Sequence, residues 1–168
     1  MPVINPGQTL APSEIVFLTA DQFLAKAALP RQHVITLQTS LFPLADSDMG
    51  VSKQPLAELA WMAAFLAIQA AGGIRLEIRA AKALLGLSTN KRLFANPCAE
   101  TAPWPEASLE NSIQSMVRAS KEAGQNEVGD IIYRMLPIDN FDLFGWVCER
   151  VRDGLVKRNL LTAGVTIT

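Results

Sequence analysis

The sequence predicts a mainly α-helical domain with a small β-hairpin, a buried central helix surrounded by amphipathic helices. The first observation is the run Pro55–Gly73, PLAELAWMAAFLAIQAAGG, apolar on nearly all sides and interrupted by Glu58 and Gln69. A helix apolar all round is either buried or spans a membrane. This run is shorter than the roughly 20 residues a span needs, and Glu58 sits in its first turn. The second observation is Ile74, Leu76 and Ile78 alternating with Arg75, Glu77 and Arg79, the period of a half-buried strand. The third is Leu143, Val147, Val151 and Leu155 at every fourth position, the stripe of an amphipathic helix.

Taken in order, residues 1–12 read as a flexible arm, rich in turn formers and without periodicity, and residues 13–168 as one globular domain. Leu18–Phe23 has the form of a helix start. Thr19 is the cap, Gln22 closes the box, and Leu18 staples to Phe23. That helix stops before Pro30, and a short apolar helix follows over Thr36–Leu44. Asp46–Gly50 is a turn in which Gly50 supplies positive φ. In the central helix Pro55 suits the first position, where its missing N–H is no loss. Gly72 and Gly73 suit the other end. Trp61, Phe65 and Ile68 share one face and belong to the core.

Ala80–Leu87 reads equally as a short helix or a continuing strand. Lys91–Ala95 reads as a strand that pairs with Ile74–Arg79 in a hairpin, with Ile74, Leu76 and Ile78 facing inward. Trp104, between two prolines, is an exposed anchor, whereas Trp61 and Trp146 sit among core neighbours. A helix starts near Pro105 with Leu109, Ile113, Met116 and Val117 on one face, and Ala123–Asn126 breaks it. Val128–Leu136 is a further short helix, stopped by Pro137. Phe144, Cys148 and Val156 widen the stripe of the last helix, and Leu160–Thr168 is an extended tail.

Composition excludes several function classes. The chain is 49% hydrophobic and 18% charged, below the roughly 25% charge of ordinary domains. A large core or an apolar surface kept for a partner follows. A net charge of −1 supplies no global pull toward nucleic acid or anionic membrane, so such attraction must be local. Cys98 and Cys148 form no metal spacing and no CxxC, which suits a reducing, cytoplasmic compartment. The start has no basic n-region of a signal peptide. His33 stands alone, so no metal set and no Ser-His-Asp arrangement forms around it. Asp46 and Asp48 resemble half a calcium loop, but the twelfth position is Ala57, not Glu. The expectation is a non-enzymatic chain without cofactor or metal.

The basic residues carry the functional reading. Arg75 and Arg79 share one face of the first hairpin strand, with Lys82, Lys91 and Arg92 nearby. Arg150, Arg152, Lys157 and Arg158 crowd the last helix among Glu149 and Asp153. Exposed charges ordinarily form a solvated face. The alternative is an anion patch for phospholipid headgroups or nucleic-acid phosphates.

The order of elements resembles the Golgi phosphoprotein family, in a divergent, shorter, bacterial-type form. The matching stretches are LFPLADSDMG at Leu41–Gly50, LAELA and GGIRLEI between Leu56 and Ile78, ASLENSI at Ala107–Ile113, and VCERVRDGLVKRNLLT at Val147–Thr162. The resemblance implies a mostly helical, non-enzymatic adaptor that binds phosphatidylinositol-4-phosphate at a membrane. Of the family's lipid-site positions, Arg152 matches one late-helix arginine, and Glu149 stands at the other. Trp61 falls near the family's central-helix arginine, and Ser52 near its tryptophan.

The leading expectation is a non-catalytic binding protein that docks peripherally on an anionic phospholipid surface or a protein partner. Its site residues are Arg75, Arg79, Arg150, Arg152, Lys157 and Arg158, together with an apolar hairpin that also offers a route to oligomerisation. The alternative is a winged-helix DNA-binding module built from the late helices and the tail. Nucleic acid ranks behind lipid because Glu149 and Asp153 lie on the candidate recognition helix.

Overall fold

The computed structural model describes residues 9–29, 40–44, 48–82, 89–101, 103–137 and 142–161. Among these residues the chain forms six helices, a three-stranded sheet and a two-stranded hairpin. The architecture is therefore mixed. Helices predominate, but a second sheet accompanies the expected hairpin.

The central helix, α3 (Lys53–Ala70), carries the core on Leu56, Ala60, Trp61, Ala64, Phe65 and Ile68. It begins two residues before Pro55, so the proline occupies the third position. The N–H it lacks is still one of the first-turn orphans, which is why the helix tolerates it. At the other end Gly72 turns left-handed at φ 75°. The Gly73 and Gly72 amides close back on the Ile68 and Gln69 carbonyls at 2.9 and 3.0 Å. Burial is not all round: Met62 is 55% and Leu66 51% exposed. Helix apolarity alone does not say how many neighbours surround it.

Three further helices flank α3 directly, and a fourth packs behind them. α1 (Pro12–Leu18), α4 (Leu109–Glu122) and α6 (Leu143–Lys157) pack directly on it. α5 (Val128–Met135) packs on α4. The expected faces of α4 and α6 are in place, with Leu109, Ile113, Val117, Val147, Val151 and Leu155 buried. Ser108 caps α4 by accepting the Asn111 N–H, and Asp142 caps α6 by accepting that of Gly145. Trp61 and Trp146 stack with ring centroids 6.4 Å apart. Trp104 is half-buried against the same core rather than projecting as an anchor.

The N-terminal third departs most from expectation. α1 already starts at Pro12, with Ala11 fully buried before it. Thr19 caps nothing with its side chain: its hydroxyl donates back to the Ile15 carbonyl, and only the single turn α2 (Ala20–Phe23) follows. Phe23, the expected staple, is 48% exposed. Leu41–Pro43 is a strand, β2, not the end of a helix. It pairs with β3 (Met49–Ser52), which also pairs with β1 (Lys26–Ala28), giving the order β1-β3-β2. These short strands exist through pairing with distant residues, which no local periodicity reports. Gly50 lies inside β3, where a Cβ would meet the Phe42 carbonyl at 2.9 Å. Its role is close approach, not positive φ.

The hairpin is longer than expected. β4 (Ile74–Lys82) pairs with β5 (Thr89–Pro97) along its whole length, from Ile74↔Pro97 to Lys82↔Thr89. Ile74 and Ala95 are buried and Leu76 is half-buried, but Ile78 is 70% exposed. The hairpin outruns the core, so its apolar alternation continues past the last residue that α3 covers.

Candidate docking surface and basic sites

Register sorts the hairpin into two faces. One carries Ile74, Leu76 and Ile78 opposite Pro97, Ala95 and Leu93, and the other carries Arg75, Glu77 and Arg79 opposite Asn96, Phe94 and Arg92. On the first face the directly opposed pair Ile78–Leu93 is exposed, at 70% and 38%. Lys91 is exposed beside it on the same face.

The polar face is an ordered charge network. Glu77 pairs with Arg75 at 2.8 Å and with Arg79. The hydrogen bond from Arg79, aided by the charges of both arginines and opposed by partial burial, holds the Glu77 carboxyl below its ordinary value. Arg79 also lies over the Phe94 ring, 4.8 Å from its centroid. Arg79 stands directly opposite Arg92 in the ladder, an arrangement that repels. Each has its own carboxylate, Glu77 for Arg79 and Glu127, at 2.8 Å, for Arg92.

The four basic residues of α6 and its C-terminal cap go three ways. Arg150 and Lys157 line a shallow cleft of about 210 Å³ between α6 and the loop before α4, together with Glu106, Ala107, Asn111, Asp153 and Gly154. Arg150 is steadied by donating to the Ser112 hydroxyl at 3.0 Å. Gly154 forms the floor, because a Cβ there would lie 2.5 Å from the Ala107 carbonyl oxygen. Ala107 itself has φ 63°, an uncommon conformation for a residue with a Cβ. Arg152 points elsewhere, pairing with Asp153 at 3.1 Å and lying 5.7 Å from the Phe42 ring centroid. Arg158 turns inward to Glu14 and to the Thr9 carbonyl. The sequence groups these four cations, and the helix separates them, since neighbouring residues are about 100° apart around the axis.

A buried acidic pair escaped the sequence reading. Glu14 and Glu110 are both fully buried. Glu110 accepts the Ser13 N–H and hydroxyl at 2.8 Å each, and Glu14 accepts the Ala11 N–H at 2.8 Å. The one local signal was a glutamate two residues after Pro12, where a carboxylate reaches back to the cap. Burial pushes the Glu110 carboxyl up, against the pull of the Ser13 hydrogen bonds. Cys148 is likewise raised, to about 12, chiefly by burial, so its thiol is inert.

Among the described residues no group of His, Cys, Asp and Glu could hold a metal ion, and no helix is long and apolar enough to cross a membrane. His33 and Asp46 lie outside the described residues. No family model, no curated protein and no solved structure matches the chain.

Proposed function

We propose that the chain is a non-catalytic binding protein that docks peripherally on an anionic phospholipid surface through its β4–β5 hairpin. The observation that carries this reading is the exposed Ile78–Leu93 pair on one hairpin face with Arg75, Arg79 and Arg92 on the other. Apolar side chains enter the headgroup boundary, while long cationic chains keep their charge at its rim. Each basic residue near an anionic surface contributes about 1 kcal/mol, and salt screens it. Arg150 and Lys157 add to this diffusely. Phosphoinositide selectivity, which the family resemblance implies, would have to come from Arg152, since Glu149 replaces its partner.

The winged-helix reading gains less support. α6 is packed on α1, α3 and α4, and its exposed positions mix Glu149 and Asp153 with Arg150 and Lys157. A recognition helix needs a free face without acids aimed at phosphates. Of the candidate wing, Leu160–Thr168, Leu160 is not extended but folds back into the core, its N–H on the Leu155 carbonyl at 2.9 Å, and residues 162–168 lie outside the described residues.

Flotation with vesicles of anionic and of neutral phospholipid tests the proposal. Association with anionic vesicles at low salt, weakened as salt rises and absent on neutral vesicles, is the expected result. No association with anionic vesicles at low salt removes the reading.

A further inference from the structure

We infer that the bilayer-facing surface is not the hairpin alone but continues onto α3, whose exposed Met62 and Leu66 enter the same anionic bilayer beside Ile78 and Leu93. The inference rests on the membrane reading above and specifies its surface. Met62, Leu66, Ile78 and Leu93 are four of the seven large hydrophobic residues exposed among the described residues, at 55%, 51%, 70% and 38%. Helix and hairpin are joined at one point. Gln69 lies on the same stripe of α3 as Met62 and Leu66, seven and three residues further on. Its side-chain oxygen accepts the Leu76 N–H at 3.0 Å. Leu76 is the residue of β4 immediately before Ile78 on the apolar face.

The stripe therefore runs from Met62 through Leu66 and Gln69 to Leu76, Ile78 and Leu93. Met62 to Gln69 rises about 10 Å along the helix, and Leu76 to Ile78 about 7 Å along the strand. Exposed apolar patches of such extent mark interaction sites. The charges around it select a bilayer with anionic headgroups as the occupant. Lys91 shares the apolar face, and Arg75, Arg79 and Arg92 stand on the opposite face of the same two strands. Two acids stand among these four cations, Glu77 held by Arg75 and Arg79 and Glu127 held by Arg92, so the hairpin keeps an excess of positive charge. Glu58 is exposed one turn before Met62, at the end of the stripe furthest from the hairpin. That asymmetry orients the molecule, with the hairpin deepest, Leu66 next and Met62 shallowest.

The test compares full-length variants on vesicles containing phosphatidylserine, with vesicles of phosphatidylcholine alone as the neutral control. Met62→Asp with Leu66→Asp is one variant and Ile78→Asp with Leu93→Asp the other, each checked by circular dichroism for wild-type melting. Both are expected to lower the partition coefficient at least about tenfold, because each removes two side chains from an apolar phase. A polarity-sensitive fluorophore on Leu66→Cys and on Met62→Cys, in a Cys98→Ser background, gives a second readout. A blue shift on vesicles, larger at position 66, is expected. If the hairpin variant loses binding while the helix variant partitions like wild type and neither label shifts, the inference falls and the hairpin reading stands. If wild type does not bind at low salt, the reading itself falls. If the helix variant instead abolishes self-association in light scattering, the stripe belongs to a second copy of this chain, and the inference is overturned.

Discussion

Glu14 and Arg158 lie 144 residues apart in the chain and meet as an ion pair inside the protein. Their side chains are 1% and 15% exposed. Glu14 also caps the start of α1, and Arg158 follows the last turn of α6, so the pair pins the first helix to the end of the last. Removing one partner of a buried pair strands the other charge and costs about 3–5 kcal/mol. Arg158→Met should therefore be strongly destabilising, and adding Glu14→Gln should recover most of the loss. Urea unfolding of both variants decides it; a double variant no more stable than the single one sinks the idea.

Glu110 makes stability depend on pH. Its folded carboxyl holds a proton more tightly than the ordinary value of 4.5, chiefly through burial. A raised carboxyl binds more protons folded than unfolded between those two values, so its contribution falls as pH rises through that window and is constant above it. Glu110→Gln should remove this dependence. The amide still accepts the Ser13 N–H, and the Ser13 hydroxyl turns to accept in return. Thermal unfolding from pH 4.5 upward is expected to show wild type losing stability relative to the variant; parallel curves would refute it.

Phe65 is 6% exposed at the centre of α3 and packs against Trp61, with ring centroids 5.9 Å apart. Phe65→Ala should cost roughly 3–5 kcal/mol. Trp61→Phe should cost much less than Trp61→Ala, because the buried indole N–H has no hydrogen-bond partner among the described residues. Denaturation midpoints for the three variants provide the comparison.

Leu76 and Ile78 share a strand face but not a fate. Leu76→Asp places a carboxylate against the core and should destabilise the fold. Ile78→Asp, at a residue 70% exposed, should change stability by no more than about 0.5 kcal/mol. It should still weaken vesicle association. Equal melting of the two variants would mean that the hairpin does not pass beyond the core between them.

Arg150 and Lys157 share a cleft that Arg152 does not line. Replacing both by Glu should weaken anionic vesicle binding and flatten its salt dependence, whereas Arg152→Ala alone should leave it nearly unchanged. Selective binding to one phosphoinositide, lost on Arg152→Ala, would restore the specific site that the family resemblance implies.

The sequence by itself determined the helices α3 to α6 and the hairpin, but not the N-terminal third. The core faces of α4 and α6, the Gly72–Gly73 stop and the alternation of Ile74–Arg79 are local patterns, each legible within one or two turns of chain. Tertiary structure alone decided the β1-β3-β2 sheet, the exposure of Ile78 and Leu66, and the partners of the basic residues. Strand pairing joins residues far apart in sequence, so no short window contains Lys26↔Val51. An apolar side chain is core only if another element covers it, and coverage ends where α3 ends. A cation's role follows from the groups its helix turns it toward. Lys157 and Arg158 are adjacent in sequence, yet one lines an open cleft and the other neutralises a buried carboxylate.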